Sequence, residues 1–243
     1  MPGESVEHFL ELLKGSPPGA VFNPWWQVDK ENDVGPRAPR IRREQLRGYL
    51  AKRLGQAQLT LIGEALGYRG GHFTGIPMTS ERILLGRNKD VAIEAKLLFS
   101  DVTPQRTSKP QKCRDGFSEP TATIVWNTLS QLGLPPEQFV LWNAFPWHSF
   151  NRHRGMLSNR MPTKPERAVG LPALKAFLSL FPCEEVVALG RIASRQLADL
   201  NVEPHYVRHP ASGGAKLFRR QIAKIVEKID SAKSHSVRAV GRY

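Results

Sequence analysis

Between residues 138 and 229 the chain alternates short continuous apolar runs with helix-spaced apolar stripes. "QFVLWNAF" (138–145), "EVVALG" (185–190) and "PHYVRHP" (204–210) predict buried strands. "PALKAFLSLF" (172–181) sets Leu174, Phe177, Leu178 and Phe181 on one helical face, and "RIASRQLADL" and "KLFRRQIAKIVEKI" (216–229) predict two further helices. Upstream, "QLTLIGE" predicts a strand that ends in Glu64. "REQLRGYLAKRL" (43–54) carries a helical stripe of Leu46, Tyr49, Leu50 and Leu54. Pro120 suits a helix start, and "TATIVWNTLSQLGL" follows it with Gly133 as a stop.

Residues 1–20 predict a short amphipathic helix (Val6, Phe9, Leu10, Leu13) ending at "KGSPPG", with Trp25 and Trp26 of "NPWWQ" packed beneath it. Residues 29–42 are polar and rich in Pro and Arg, which predicts a surface connection, and residues 100–120 form a long basic loop without a core pattern. Strands alternating with helices imply a three-layer α/β/α sandwich around a short, mainly parallel sheet of about four strands. No internal repeat is present. The chain is read as one domain over 1–230, with 1–42 as an N-terminal helix and extension, and 231–243 as a basic, flexible tail.

Open parallel sheets bind ligands at the carboxyl ends of their strands. Those ends carry Glu64, Asn143, Gly190 and the run Arg208-His209-Pro210. Glu64 also opens "GEALGYRGGHFTGIPMTS" (63–80), which places Gly63, Gly67, Gly70, Gly71 and Gly75 within thirteen residues. Glycine allows a backbone to approach a ligand closely. The stretch is neither GxGxxG nor GxxxxGK[ST], so the two familiar phosphate-loop readings do not apply.

Charge narrows the class of partner. Lys and Arg total 35 against 22 Asp and Glu, a net charge of +13 with a pI near 10.1. That excess points to a polyanion, nucleic acid before an anionic membrane surface. Two cysteines, Cys113 and Cys183, exclude a four-cysteine metal or iron–sulfur site within the chain and argue against a disulfide framework. No secretory signal or membrane-spanning run is read, so the expected location is the cytoplasm, on the nucleoid in a bacterium.

"GEALG…GIPMTS", "LWNAFPWH" and "RHPASGG" resemble, in that order, the three signature segments of the uracil-DNA glycosylase superfamily, over roughly residues 59 to 220. The resemblance implies a four-stranded parallel sheet between helices and hydrolysis of the bond joining uracil to deoxyribose, without metal or cofactor, by a monomer acting on uracil-containing DNA. Glu64 matches the water-positioning place, which is usually Asp or Asn and is Glu in the iron–sulfur branch. Asn143 matches the base-reading amide and His209 the histidine facing the base carbonyl. There are two departures from the family pattern. The Glu occurs here without the four cysteines of that branch, and Met78 stands where relatives place a stacking Phe. Met78 serves either as pocket wall or as ordinary core, and Phe73 is the alternative ring.

These residue types suit the chemistry. A base inside a duplex must be flipped out before its glycosidic bond is reached. A carboxylate stabilises an oxocarbenium-like sugar and orients water, as in other glycosyl hydrolyses. A donor aimed at the base oxygen stabilises the departing anion, and an amide reads a donor and an acceptor together. By the resemblance, Gly63, Ala65, Met78, Phe73 and Asn143 are assigned to uracil. Arg208, Ser212, Gly213, Gly214, Lys216, His148 and Ser80 are assigned to DNA, with Arg152, His153 and Arg154 as further phosphate contacts and "ASGG" as a helix N-terminus holding a phosphate. The competing reading is a protein that binds uracil-containing or damaged DNA without cleaving it.

Overall fold

A computed structural model describes residues 5–91, 94, 97–99 and 101–240. The elements in chain order are α1 (Val6–Leu12), β1 (Val21–Phe22), α2 (Ala38–Ala51), β2 (Leu59–Ala65), α3 (Gly71–Thr74), α4 (Glu81–Leu84) and α5 (Pro120–Gln131), followed by β3 (Phe139–Phe145) and β4 (His148–Ser149). The chain continues through α6 (Lys164–Leu180), β5 (Glu185–Leu189), α7 (Arg191–Ala198), β6 (His205–Val207) and α8 (Ala215–Val240). The four long-range strands form one parallel sheet in the order β3-β2-β5-β6, flanked by helices. The expected α/β architecture is present.

Register follows from burial. All seven residues of β3 and the first five of β2 are buried, as central strands covered on both faces require. Leu59 pairs with Phe139 and Gly63 with Asn143, so the two polar strand ends finish side by side. Gly170 lets α6 settle on β3: a Cβ there would already lie 3.2 Å from Phe145. On the same side Trp142 stacks on Phe177 at 4.9 Å and meets Phe9 edge-on at 5.0 Å, which ties α1 and α6 to the sheet. Trp25 is buried, stacks on Trp142 at 6.0 Å and donates its indole N–H to the Gly75 carbonyl, while Trp26 is half-buried.

Three helices extend past their predicted limits. α2 begins at Ala38 rather than Arg43, inside the stretch read as a connection, with Pro39 in its first turn. α6 begins at Lys164 rather than Pro172, because Thr163 and Glu166 form a reciprocal capping box and Pro165 occupies the first turn. Pro172 is tolerated inside the helix. α8 runs to Val240, since no Gly or Pro interrupts the chain from Ala215 to that point. The flexible tail expected from residue 231 is therefore helical as far as Val240, and residues 241–243 lie outside the described residues.

The long basic connection is held by one buried carboxylate. Glu81, at the start of α4, accepts the Thr107 and Ser108 N–H groups at 2.9 Å and the Phe117 N–H at 3.3 Å. This pins residues 107–117 and fixes where Glu119 enters α5. Among the described residues, no helix is long and apolar enough to cross a membrane.

Candidate active site at the strand ends

The carboxyl ends of β2, β3 and β6 open into a cleft of about 420 Å³ lined by Gly63, Glu64, Ala65, Met78, Asn143 and His209, among others. The size suits a small ligand. Of the residues assigned to uracil from sequence, all but Phe73 line it. A larger cleft of about 640 Å³ lies between α6 and α7, lined by Lys164, Arg167 and Arg195, but it contains neither Asn143 nor His209.

Glu64 is half-buried over the start of α7. Burial pushes its pKa up, opposed by the Ile192 N–H and by Arg167 and Arg191, which favour the carboxylate. Gly190, at φ 95°, makes the approach possible: a Cβ there would sit 2.7 Å from a Glu64 carboxyl oxygen and 3.6 Å from the His209 Cβ. The acid and the histidine thus meet on either side of one glycine.

His209 has a defined tautomer. Its Nδ1 accepts the Ala211 N–H at 3.2 Å, so in the neutral ring the proton resides on Nε2, which is left to donate to a ligand. Burial, with the neighbouring Arg208 charge, holds its pKa below the usual histidine value and keeps the ring neutral near pH 7.

Asn143 is buried at the cleft wall. Its amide oxygen accepts the Leu66 N–H and its nitrogen donates to the Trp142 carbonyl, both at 3.2 Å, in the orientation that satisfies both groups. One N–H and one lone pair remain for a ligand. Met78 closes the wall beside it. It adopts a left-handed backbone, φ 48°, which is uncommon for a non-glycine residue, and its carbonyl accepts the Trp126 indole N–H at 3.0 Å.

After β6, Ser212 and Gly213 both take positive φ, and Gly214 packs against the His209 carbonyl before α8 starts. Arg208, Ser212, Gly213 and Lys216 are exposed around this turn. Arg152, His153 and Arg154 are exposed on the turn after β4.

Three assigned residues sit elsewhere. His148 is fully buried, and both ring nitrogens are engaged, with His72 Nδ1 at 2.9 Å and the Ser158 carbonyl at 2.8 Å, so it cannot meet a phosphate. Its Nε2 must donate to the carbonyl, so its Nδ1 accepts from His72, whose Nε2 faces Asp29 at 3.1 Å. The geometry requires one proton held between His72 and Asp29, and burial keeps His148 neutral with its pKa lowered to about 3. Phe73 is buried in a stack on Phe117 at 4.6 Å, where its ring contributes packing rather than a platform. Ser80 is also buried, at the head of α4, and out of reach of DNA.

The sequence reading missed Glu119, Thr121 and the segment Asn159 to Pro162, all on the cleft wall. Asn159 accepts the Tyr68 N–H at 3.0 Å and ties that segment to the glycine-rich loop. Arg160 is bound to Glu166 by two bonds of 2.6 and 2.7 Å, so its charge is already committed. Nothing in the local pattern of "LSNRMP" marks it as part of a site.

Among the described residues, no three His, Cys, Asp or Glu side chains converge for a metal ion. Cys113 and Cys183 are unpaired, each donating its thiol to a backbone carbonyl, of Gly116 and Ala57 respectively.

Compared with known families and with curated proteins, the sequence has no match. Thirty-two chains of solved structures are similar in fold. One is the crystal structure of wild-type SMUG2 from Pedobacter heparinus, with a TM-score of 0.61 and 14% identity, covering 93% of this chain and 98% of that one. At that identity the likeness is one of fold, and it extends over nearly the whole of both chains.

Proposed function

We propose that this protein is a monofunctional DNA glycosylase that hydrolyses the N-glycosidic bond of deoxyuridine, releases uracil and leaves an abasic site. One observation carries the reading: a carboxylate, a neutral histidine with a free Nε2–H and an oriented amide share one cleft at the strand ends. The fold shared with SMUG2, a uracil-DNA glycosylase family member, supports it.

The nucleotide is flipped into the cleft, where Asn143 reads the base edge and Met78 and Gly63 bound it. As the glycosidic bond breaks, positive charge develops on the sugar and negative charge on the base. In its carboxylate form, which the Ile192 N–H, Arg167 and Arg191 favour against burial, Glu64 stabilises the sugar and orients the attacking water. His209 donates Nε2–H to the base oxygen. A neutral donor is suitable because its bond strengthens as charge appears on the base, and such donors are worth about 10²- to 10³-fold in rate. The backbone N–H of Gly213, with Ser212, Arg208 and Lys216, holds phosphates at the start of α8, and Arg152, His153 and Arg154 extend the track. Gly214, assigned to DNA from sequence, is buried and gives its N–H to the Ala211 carbonyl at 3.1 Å. DNA is the partner, the protein acts as a monomer in the cytoplasm, and the chemistry uses no metal or cofactor.

The test is direct. A labelled uracil-containing oligonucleotide, treated with the protein and then alkali, should break at the uracil. Binding without any breakage would identify a non-catalytic DNA-binding protein instead.

A further inference from the structure

Met161 lines the strand-end cleft, and it is 65% exposed, more than any other large hydrophobic residue among those described. Its backbone, by contrast, is held from both sides. The Arg160 guanidinium donates to the Ala20 carbonyl at 3.0 Å and to the Phe150 and Met161 carbonyls at 3.1 Å. The Arg160 N–H reaches the Ser149 carbonyl at 3.1 Å, and its own carbonyl accepts the Ser149 hydroxyl at 2.7 Å. Beyond Met161, Pro162 is buried and its carbonyl accepts from Arg167 at 2.6 Å. Scattered exposed apolar residues are ordinary on a protein surface. Met161 differs in its place: a firmly pinned segment presents it to solvent at the rim of the cleft.

Flipping a nucleotide out of a duplex leaves a gap between its neighbours and costs the stacking they had with it. Proteins that open a base step push an apolar side chain, such as Phe, Leu, Ile, Met or Pro, between the bases. The turn after β6 offers only the small Ala211, Ser212 and Gly213 for this task. Met78 is buried in the wall, and Leu217, 38% exposed on the first turn of α8, does not line the cleft. Among the described residues, Met161 alone is large, apolar, exposed and part of the cleft. Its unbranched, polarizable side chain suits a stack of any base identity.

We propose that Met161 is a wedge: it enters the base stack from the cleft rim, fills the gap left by the flipped nucleotide and hinders its return. The form of DNA on which it acts is therefore the duplex, where there is a stack to open. Met161 touches the neighbouring bases and not the reacting atoms, so it is a positioning residue whose effect precedes the chemical step. The inference rests on the glycosylase reading.

The experiment measures single-turnover uracil excision by the full chain, Met161→Ala, Met161→Gln and Leu217→Ala. Three substrates are compared: a single strand, the matched duplex, and a duplex with a pyrene nucleoside opposite the uracil. The pyrene fills the vacated space itself. Both Met161 variants should slow excision from the matched duplex about 10- to 100-fold, the worth of burying one such side chain. They should leave the single-strand rate unchanged, and pyrene should restore the duplex rate. Leu217→Ala should match the wild type throughout. Thermal unfolding should be unchanged because the site is exposed, and should one Met161 variant not fold, the other decides. Equal losses on single strand and duplex would reduce Met161 to a wall of the base pocket and overturn the inference. An unaffected duplex rate, no rescue by pyrene, or a wild type that acts on single strands alone would overturn it too. Each of these leaves the glycosylase reading standing. A wild type that excises uracil from none of the substrates would overturn the glycosylase reading, and the inference with it.

Discussion

Gly63 on β2 pairs with Asn143 on β3, and a Cβ at Gly63 would collide with the Asn143 amide and press on the Met78 sulfur at 3.3 Å. Asn143 has no slack, because Leu66 and Trp142 already hold both ends of its amide. Gly63→Ala should therefore lower uracil excision at least 10-fold and cost about 1–3 kcal/mol of stability, the usual range for overpacking. Thermal unfolding and excision kinetics measure the two effects. Asn143→Asp should fold but lose discrimination for uracil, because an acceptor would then face the Trp142 carbonyl and the base donor would be gone.

His148→Ala separates a structural histidine from a DNA contact. The change strands the Ser158 carbonyl and the His72 ring in the interior, so a loss of about 2–4 kcal/mol is expected. Affinity of the folded protein for DNA at moderate salt should be unchanged. A weaker salt dependence with normal stability would show that His148 does reach a phosphate.

Surface cations should behave in the opposite way. DNA affinity should fall steeply with added salt, through counterion release from the basic face. Arg208→Ala and Lys216→Ala should each lower the log–log slope by about one without changing base preference. Fluorescence anisotropy at several salt concentrations is the measurement, and a flat salt response in the wild type would detach the +13 charge from DNA.

Glu119 links pH to stability. Burial raises its folded pKa to about 7, above the ordinary carboxylate value of 4.5, so the native state holds this proton more tightly than the unfolded chain. The resulting stability is complete below about pH 4.5 and is lost as pH rises through 7. The loss amounts to at most about 3 kcal/mol. Denaturant unfolding at pH 5 and pH 8 should show this decline in the wild type relative to Glu119→Gln, in which it is absent.

How much of this was legible in the sequence depended on whether the signal was local. The apolar runs around Leu61, Leu141 and Val187 marked the strands, and strand order alone brought Glu64, Asn143 and His209 to one rim. Helix limits were lost where two local rules competed: Pro172 reads as a helix start, yet the capping box that opens at Thr163, nine residues earlier, prevails. His148 stands among Arg152, His153 and Arg154 and reads as basic surface, but β4 turns it inward to His72, a contact 76 residues away. Ser80 and Phe73 were misplaced for the same reason, since burial is set by distant segments. Glu119 was invisible because its neighbourhood is made by Gly67 and Gly70, about fifty residues upstream.

The central claim is that Glu64 and His209 carry the reaction, and single-turnover excision of uracil by the wild type, Glu64→Gln, His209→Ala and the double variant tests it most directly. Glu64→Gln keeps the shape and removes the charge, and His209→Ala removes the Nε2–H donor. Each should slow cleavage about 10²- to 10³-fold while the protein still folds and binds uracil-containing DNA. The double variant should lose less than the product of the two, because the groups act on one transition state. Wild-type rates in both single variants would contradict the account and leave this cleft without its catalysts.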